Sequence, residues 1–181
     1  MMTDQEFLDL WQEETKRDYA FNLLLRQYAQ PLYWHIRKMV GSHEVADDLL
    51  QNTWIKVWSH LDGFQGASSL RTWLYAIATH ETISYLRKER LRTCLSLATH
   101  RALVENSIVA SDSPDGERLQ QKLQQAILRL PPKQRSVFVL RYFEGLKYDQ
   151  IAQITHTSEG ALKASYHHAY RKIEEFLKAL D

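Results

Sequence analysis

The stretch LRLPPKQRSVFVLRYFEGLKYDQIAQITHTSEGALKASYHHAYRKIEEFL, residues 128–177, decides the fold of this chain: it reads as helix, turn, short helix, turn, longer helix. Ile151 and Ile154 fit the inner face of a short helix, and Leu162, Tyr166, Ala169 and Ile173 recur at three- and four-residue spacing along the next. His156, Thr157 and Ser158 leave room only for a tight turn between them. Ser158 is a good N-cap, Glu159 sits favourably in a first helical turn, and Gly160 keeps the helix start thin where a partner backbone would approach. The outward side then carries Lys163, Ala164, His167, His168 and Arg171. Small, polar and basic groups of this kind suit a major-groove edge and its flanking phosphates. The outline is that of a helix-turn-helix. An ordinary three-helix bundle with a solvated basic face shares it, so the rest of the chain has to choose between the two.

The 181 residues are enough for one substantial core or two small ones, and 44% hydrophobic with 25% charged residues is ordinary globular composition. No run of about eighteen apolar residues is present, and the N-terminal MMTDQEFLDLWQEETKRDY is acidic and amphipathic rather than a basic, apolar leader. The expectation is a cytoplasmic protein with no direct membrane insertion. Cys94 is the lone cysteine and the eight histidines are scattered, so neither an internal disulfide nor a metal site is expected. GxxxxGK[ST] and GxGxxG are missing, and no nucleophile, base or acid pair gathers into a catalytic constellation. No enzyme activity, catalytic residue or cofactor is expected.

A net charge of +1 is weak for a nucleic-acid binder, but the charge is unevenly spread. Residues 1–62 carry −4, 63–101 carry +4, 102–128 carry −2 and 129–181 carry +3. Two basic segments separated by acidic ones point to two places that meet phosphate, and to an acidic surface suited to a basic protein.

The remaining periodicity is helical. Phe21, Leu24, Leu25, Tyr28, Leu32 and Ile36 form one stripe, Gly41-Ser42 breaks it, and a second helix is predicted over about 44–61 with Leu50, Trp54, Val57, Trp58 and Leu61 inward. DGFQGASS at 62–69 has turn composition, and a third helix follows over about 70–90. From about 93 the apolar period fades, and SDSPDGE at 111–117 reads as flexible linker. The predicted fold is all-α: two small helical domains, residues 1–92 and 117–181, joined by a flexible linker over 93–116. The second is a helix-turn-helix of winged-helix-like type.

Two segments together carry a family resemblance: DDLLQNTWIKVWSHLDGFQGASSLRTWLYAIATHETISYLRKERLR in the first domain and LPPKQRSVFVLRYFEGLKYDQIAQITHTSEGALKASYHHAYRKI in the second. They resemble regions 2 and 4 of a bacterial sigma-70-type sigma factor, and the short chain with nothing between the two regions resembles the extracytoplasmic-function (ECF, group 4) members. The resemblance covers roughly 20–92 and 117–178. It implies a subunit that binds core RNA polymerase, recognises minus-35 and minus-ten promoter elements and promotes DNA melting. It also implies an anti-sigma factor, often membrane-bound, as a further partner.

Carried onto this chain, the resemblance gives Asp47, Asp48, Gln51 and Asn52 to core-polymerase docking. Acidic and amide groups at i, i+3 and i+4 share a helix face and can meet basic side chains. Relatives commonly have Gln-Glu where this chain has Gln51-Asn52, so one negative charge is missing. Phe64, Gln65, Gly66, Arg71, Trp73, His80, Arg87 and Lys88 fall on the minus-ten surface. Strand opening needs a pocket for an unstacked base and an aromatic surface to replace its stacking. His80 stands where relatives often have an asparagine that reads the flipped base, and imidazole presents a different donor and acceptor geometry. Trp73 suits core packing equally, since Leu70, Trp73, Leu74 and Ile77 form an apolar strip; Trp54 and Trp58 read as core. Ser158, Glu159, Gly160, Lys163, Ala164, His167 and Arg171 fall on the minus-35 surface. Lys147 stands where relatives often carry a serine or threonine cap, a loss of about 1 kcal/mol. His167 and His168 point about 100° apart on a helix and do not share a metal ion. The competing function is a stand-alone helix-turn-helix regulator whose first domain is sensory or dimerising. The segment 64–73 discriminates, because a reader of duplex DNA alone does not need it.

Overall fold

The computed structural model describes residues 3–64, 66–96 and 115–179, and among these every regular element is helical. In chain order they are α1 (Asp4–Gln12), α2 (Arg17–Val40), α3 (His43–His60), α4 (Leu70–Ser96), α5 (Asp115–Arg129), α6 (Pro132–Tyr142), α7 (Tyr148–Thr155) and α8 (Glu159–Lys178). The first four form one bundle and the last four another. The linker predicted over 93–116 is entered by helix from both sides, α4 reaching Ser96 and α5 starting at Asp115; residues 97–114 lie outside the described residues. No described helix is long and apolar enough to cross a membrane.

The acidic N-terminus folds as α1, opened by a reciprocal cap in which Glu6 N–H donates to Thr3 Oγ1 and Thr3 N–H to Glu6 Oε2. Phe7 and Trp11 are buried against the bundle. The same helix organises the turn before α4: Asp4 accepts from Leu70 N–H at 2.8 Å, and Asp62 accepts from Trp11 Nε1–H at 2.9 Å. Ser69 completes that helix start by accepting from Thr72 N–H at 3.1 Å.

The break at Gly41-Ser42 is as predicted. Gly41 closes α2 in the left-handed region at φ 81°, its N–H donating to Arg37 C=O at 2.9 Å, and Ser42 Oγ caps α3 by accepting from Val45 N–H. A Cβ at position 41 would lie 2.7 Å from Leu128 Cδ1 of α5. Gly41→Ala therefore combines a left-handed alanine with a displaced leucine. The expected loss is about 1–2 kcal/mol, read as a lowered midpoint in urea with unchanged helix content. A midpoint equal to wild type would show that α5 does not seat on Gly41.

The inward stripe of α3 differs from the predicted one. Ala46, Leu49, Thr53 and Val57 are buried, whereas Trp58 is 45% exposed and Leu50 and Trp54 are half-buried. The tryptophans lie on the flank, where Trp58 packs edge-on to Trp11 (5.4 Å between ring centres) and Phe21 (4.9 Å), and Trp54 to Phe21 (5.8 Å). Ala46, Leu49, Thr53 and Val57 face the bundle axis, and the two indoles cover the flank against Phe21 of α2, Trp58 also reaching Trp11 of α1.

The two bundles pack on each other. α5 and α6 lie against α2, and α6 and α7 against α4, so that Val137, Leu140, Leu146, Ile151 and Ile154 share one apolar cluster with Leu32, Ile36, Leu74 and Tyr75.

Candidate nucleic-acid and protein interfaces

The helix-turn-helix is α7, the turn at 156–158 and α8. Lys147 starts α7 without a side-chain acceptor, but Gln150 Oε1 accepts its N–H at 2.9 Å, which recovers half of a capping box. His156 ends α7 at φ 51°, a left-handed conformation that histidine tolerates better than most residues. Ser158 Oγ then accepts from Ala161 N–H and starts α8 as predicted. Leu162, Ala169 and Ile173 are buried, while Glu159, Gly160, Lys163, Ala164, His167, His168 and Arg171 all face outward. Lys163 pairs with Glu159 at 3.7 Å and Arg171 with Glu175 at 3.7 Å, both with exposed partners. Pairs of this kind contribute little and exchange readily for phosphate. Nothing lies within 4 Å of a Cβ built on Gly160, so no contact within the chain requires glycine there. His167 and His168 have ring centres 6.2 Å apart and tilted, and no group of three metal-ligating side chains occurs among the described residues.

In the first bundle, Trp73, Ile77, His80 and Glu81 on α4 join Lys56 and His60 of α3 around a cavity of 250 Å³, with Lys56 ion-paired to Glu81. This places an aromatic wall, two imidazoles and a paired lysine and glutamate around one opening. Phe64 sits directly behind Trp73, 5.2 Å between ring centres, but it is 9% exposed and belongs to the core cluster. It supports Trp73 rather than lining an open loop. Gly66 is exposed at φ 71°; Gln65 lies outside the described residues. Arg87 and Lys88 are exposed further along α4. Arg71 is apart from this cavity. Its Nη2 donates to Glu144 C=O of the other bundle at 2.7 Å, and its guanidinium lies 5.4 Å from the Tyr75 ring centre.

The other predicted surface is on α3. Asp47, Asp48, Gln51 and Asn52 are all exposed, and none of the four takes a hydrogen bond or ion pair among the described residues. Next along this face is Ile55, 66% exposed, with Trp58 beyond it. Ile55 was missed in the sequence. Its signal was available, as one apolar residue four positions after Gln51 on an otherwise polar face.

Also missed were two buried polar clusters at the seam between the bundles. The Glu144 carboxylate accepts from Tyr75 Oη–H at 2.7 Å and from Lys38 Nζ–H at 3.5 Å, with His35 Nδ1 4.0 Å away. Burial pulls the His35 imidazole down to about 3, so the ring is neutral, and its Nε2 meets Thr79 Oγ1 at 2.9 Å. Burial, with the bond to Glu144, pushes the Tyr75 phenol up and keeps it a donor. The second cluster is Arg135 of α6. Its guanidinium donates to Met39 C=O at the end of α2 and to Leu128 and Leu130 C=O at the end of α5. Burial lowers it to about 10, which leaves it cationic near neutral pH.

A cleft of 480 Å³ lies between the bundles, lined by His80 and Arg87 of α4, Lys133 of α6, Thr157 of the turn and Ser165 of α8. His80, on its wall, stacks on His156 of the turn with ring centres 5.9 Å apart.

The family model for Sigma-70 region 2 matches residues 24–92, and that for Sigma-70 region 4 matches residues 120–173. The RNA polymerase sigma-H factor of Pseudomonas aeruginosa is 30% identical over 185 residues, spanning 98% of this chain and 95% of that protein. The ECF RNA polymerase sigma factor SigW of Bacillus subtilis is 28% identical over 169 residues, 89% of this chain and 90% of that one. A solved sigma factor, RpoE in complex with the anti-sigma factor NepR from Bartonella quintana, is 26% identical with a TM-score of 0.70, over 87% of this chain and 96% of that one. With both regions matched in order and nearly full-length relatives, the chain belongs to the extracytoplasmic-function branch of the sigma-70 family of RNA polymerase sigma factors.

Proposed function

We propose that residues up to about 92 bind core RNA polymerase and the minus-ten element, that residues from about 117 onward read the minus-35 element, and that together they direct transcription initiation. The observation that carries this reading is the pairing, in one bundle, of an unpartnered acidic and amide face on α3 with the aromatic cavity on α4. A protein that only reads duplex DNA needs neither. Asp47, Asp48, Gln51 and Asn52, with Ile55 as the apolar centre, meet basic and apolar groups of the polymerase. Trp73 stacks on an unpaired minus-ten base and His80 meets its edge, while Arg87 and Lys88 hold the phosphates. The exposed α8 residues Lys163, His167 and Arg171 enter the minus-35 groove, with Ser158, Glu159, Gly160 and Ala164 forming the close-approaching helix start.

The role is non-enzymatic, exercised in the bacterial cytoplasm. An anti-sigma factor fits as a second partner, since RpoE of B. quintana is found in complex with one.

Run-off transcription with purified core polymerase and a panel of candidate promoters tests the proposal. Initiation dependent on this chain is expected; duplex binding without core binding or initiation would replace it with a stand-alone regulator. Lys163→Ala with Arg171→Ala separates the surfaces. Each removed phosphate or base contact is worth about 1 kcal/mol or more, so promoter affinity should fall roughly tenfold or further and its salt dependence should flatten. Core affinity should stay unchanged, and an equal loss of core binding would contradict the assignment.

A further inference from the structure

We propose that the cleft of 480 Å³ between α4 and the second bundle is a binding site for a small nucleoside phosphate. Its lining is one-sided in charge. Arg87 of α4 and Lys133 of α6 both line it, and neither side chain makes a hydrogen bond or ion pair among the described residues. No carboxylate of the described residues lines it. Exposed cations elsewhere on these helices are handled differently: Lys56 pairs with Glu81, Lys163 with Glu159 and Arg171 with Glu175. Two cations left without counter-ions at one concave opening attract an anion strongly, because the low-dielectric walls focus their potential. Lys133 stands in the first turn of α6, which carries no acidic residue, so the N–H groups of that helix start add to the same potential.

The remaining side chains define what else the anion carries. Ser84 and Ser165 present hydroxyls that make no hydrogen bond among the described residues. Ser136 and Thr157 donate to Lys133 C=O and Thr155 C=O and keep oxygen lone pairs with which to accept. Ile83, Val137 and Leu162, 9%, 4% and 1% exposed, give the cleft an apolar floor, and His80 adds an imidazole to the wall. A bare phosphate uses the cations and leaves that floor wet. A flat heterocycle covers the floor, and a sugar reaches the hydroxyls, which is the mixture of apolar surface and few polar groups found in small-molecule sites of about 300–1,000 Å³. A free nucleotide and one unit of a single strand share this chemistry. On the sigma-factor reading Arg87 holds minus-ten phosphates, so an occupied cleft competes with promoter DNA for it, and free nucleotide should weaken binding of single-stranded minus-ten DNA; this consequence alone rests on that reading.

Equilibrium dialysis of the full chain, without polymerase or DNA, tests the site with GDP, ADP, CDP, UDP and inorganic phosphate as probes. At least one nucleotide should bind at a single site, and about tenfold or more tightly than inorganic phosphate, as expected when a ring covers the apolar floor. Arg87→Ala and Lys133→Ala should each weaken that binding about tenfold, the scale of a lost charge-assisted contact. Both side chains are exposed, so the helix content of each variant should match wild type by circular dichroism. Lys163→Ala with Arg171→Ala removes cations outside the cleft and should leave nucleotide affinity unchanged. Failure of every nucleotide to bind more tightly than inorganic phosphate would overturn the proposal, as would unchanged affinity in both cleft variants. An equal loss in the Lys163/Arg171 variant would reduce the binding to general charge attraction and overturn it as well. A short single-stranded oligonucleotide that binds through Lys133 while no free nucleotide does would give the cleft to the strand instead. Because dialysis needs neither polymerase nor promoter, failure here leaves the sigma-factor reading standing, and failure of run-off transcription leaves the nucleotide site standing.

Discussion

Arg135→Met is expected to destabilise the protein by about 3–5 kcal/mol, the range for removing one partner of a buried charge-assisted network. The guanidinium serves acceptors that the fold cannot otherwise satisfy. The last carbonyls of a helix have no intrahelical donor. Met39 C=O is in the last turn of α2, Leu128 C=O is in the last turn of α5, and Leu130 C=O follows just beyond; Arg135 donates to all three. Both helix ends are also the negative poles of their dipoles, so one cation between them is favoured twice. Methionine preserves the stem and its packing on α6 but leaves three acceptors without a donor, each costing about 1–3 kcal/mol where water does not reach. Arg135→Lys should recover only part, because an ammonium has no planar fork to span two helix ends. Urea unfolding followed by circular dichroism measures the loss, and a melting point lowered by roughly 10 °C is the accompanying result. A methionine variant as stable as wild type would mean that these carbonyls are satisfied in another way.

The contrast between Arg135 and the α3 stripe explains what was legible beforehand. Gly41-Ser42, Ser158 and the spacing of Leu162, Ala169 and Ile173 are local signals, and the structure uses each as read. Trp58 was misassigned because size was taken for burial. The axis of α3 is filled by Ala46, Leu49, Thr53 and Val57, and the large rings lie against Phe21 of α2 and, for Trp58, Trp11 of α1, partners more than thirty residues away. Turn composition at 62–69 says nothing of which way Phe64 faces, and its ring turns inward onto Trp73. Arg135 and Glu144 had no local signal at all. In sequence they are an arginine and a glutamate in an amphipathic segment, where solvent exposure is the default for charged residues. Their importance comes from partners such as Met39 and Tyr75, brought close only when the two bundles meet. On the interfaces, the outward face of α8 and the polar face of α3 follow from helical period, while Ile55 on that face needed the observed exposure to stand out.

Trp73→Leu combined with His80→Ala is expected to reduce open-complex formation by about 10- to 100-fold, the scale set by base–aromatic stacking at about 1–3 kcal/mol per base. Trp73 and His80 line the same 250 Å³ cavity on α4, with Phe64 backing the indole. Opening the minus-ten duplex removes stacking from the extruded base, and a protein surface must replace that interaction as the strands separate. An indole provides the broadest apolar face available to do so. Leucine keeps the apolar contact with Phe64, so the bundle should stay folded while the stacking surface is lost; a melting curve near that of wild type checks this. His80→Ala removes an imidazole that offers both a donor and an acceptor to a base edge, and it also removes the stack on His156. The two effects oppose each other. Losing the base contact weakens promoter opening, whereas losing the stack eases separation of the bundles, so the double variant should bind core polymerase at least as well as wild type. Permanganate reactivity of minus-ten thymines in the holoenzyme complex measures the opening directly. Normal reactivity alongside normal core binding would remove the base-capture role from this cavity and return Trp73 to packing alone.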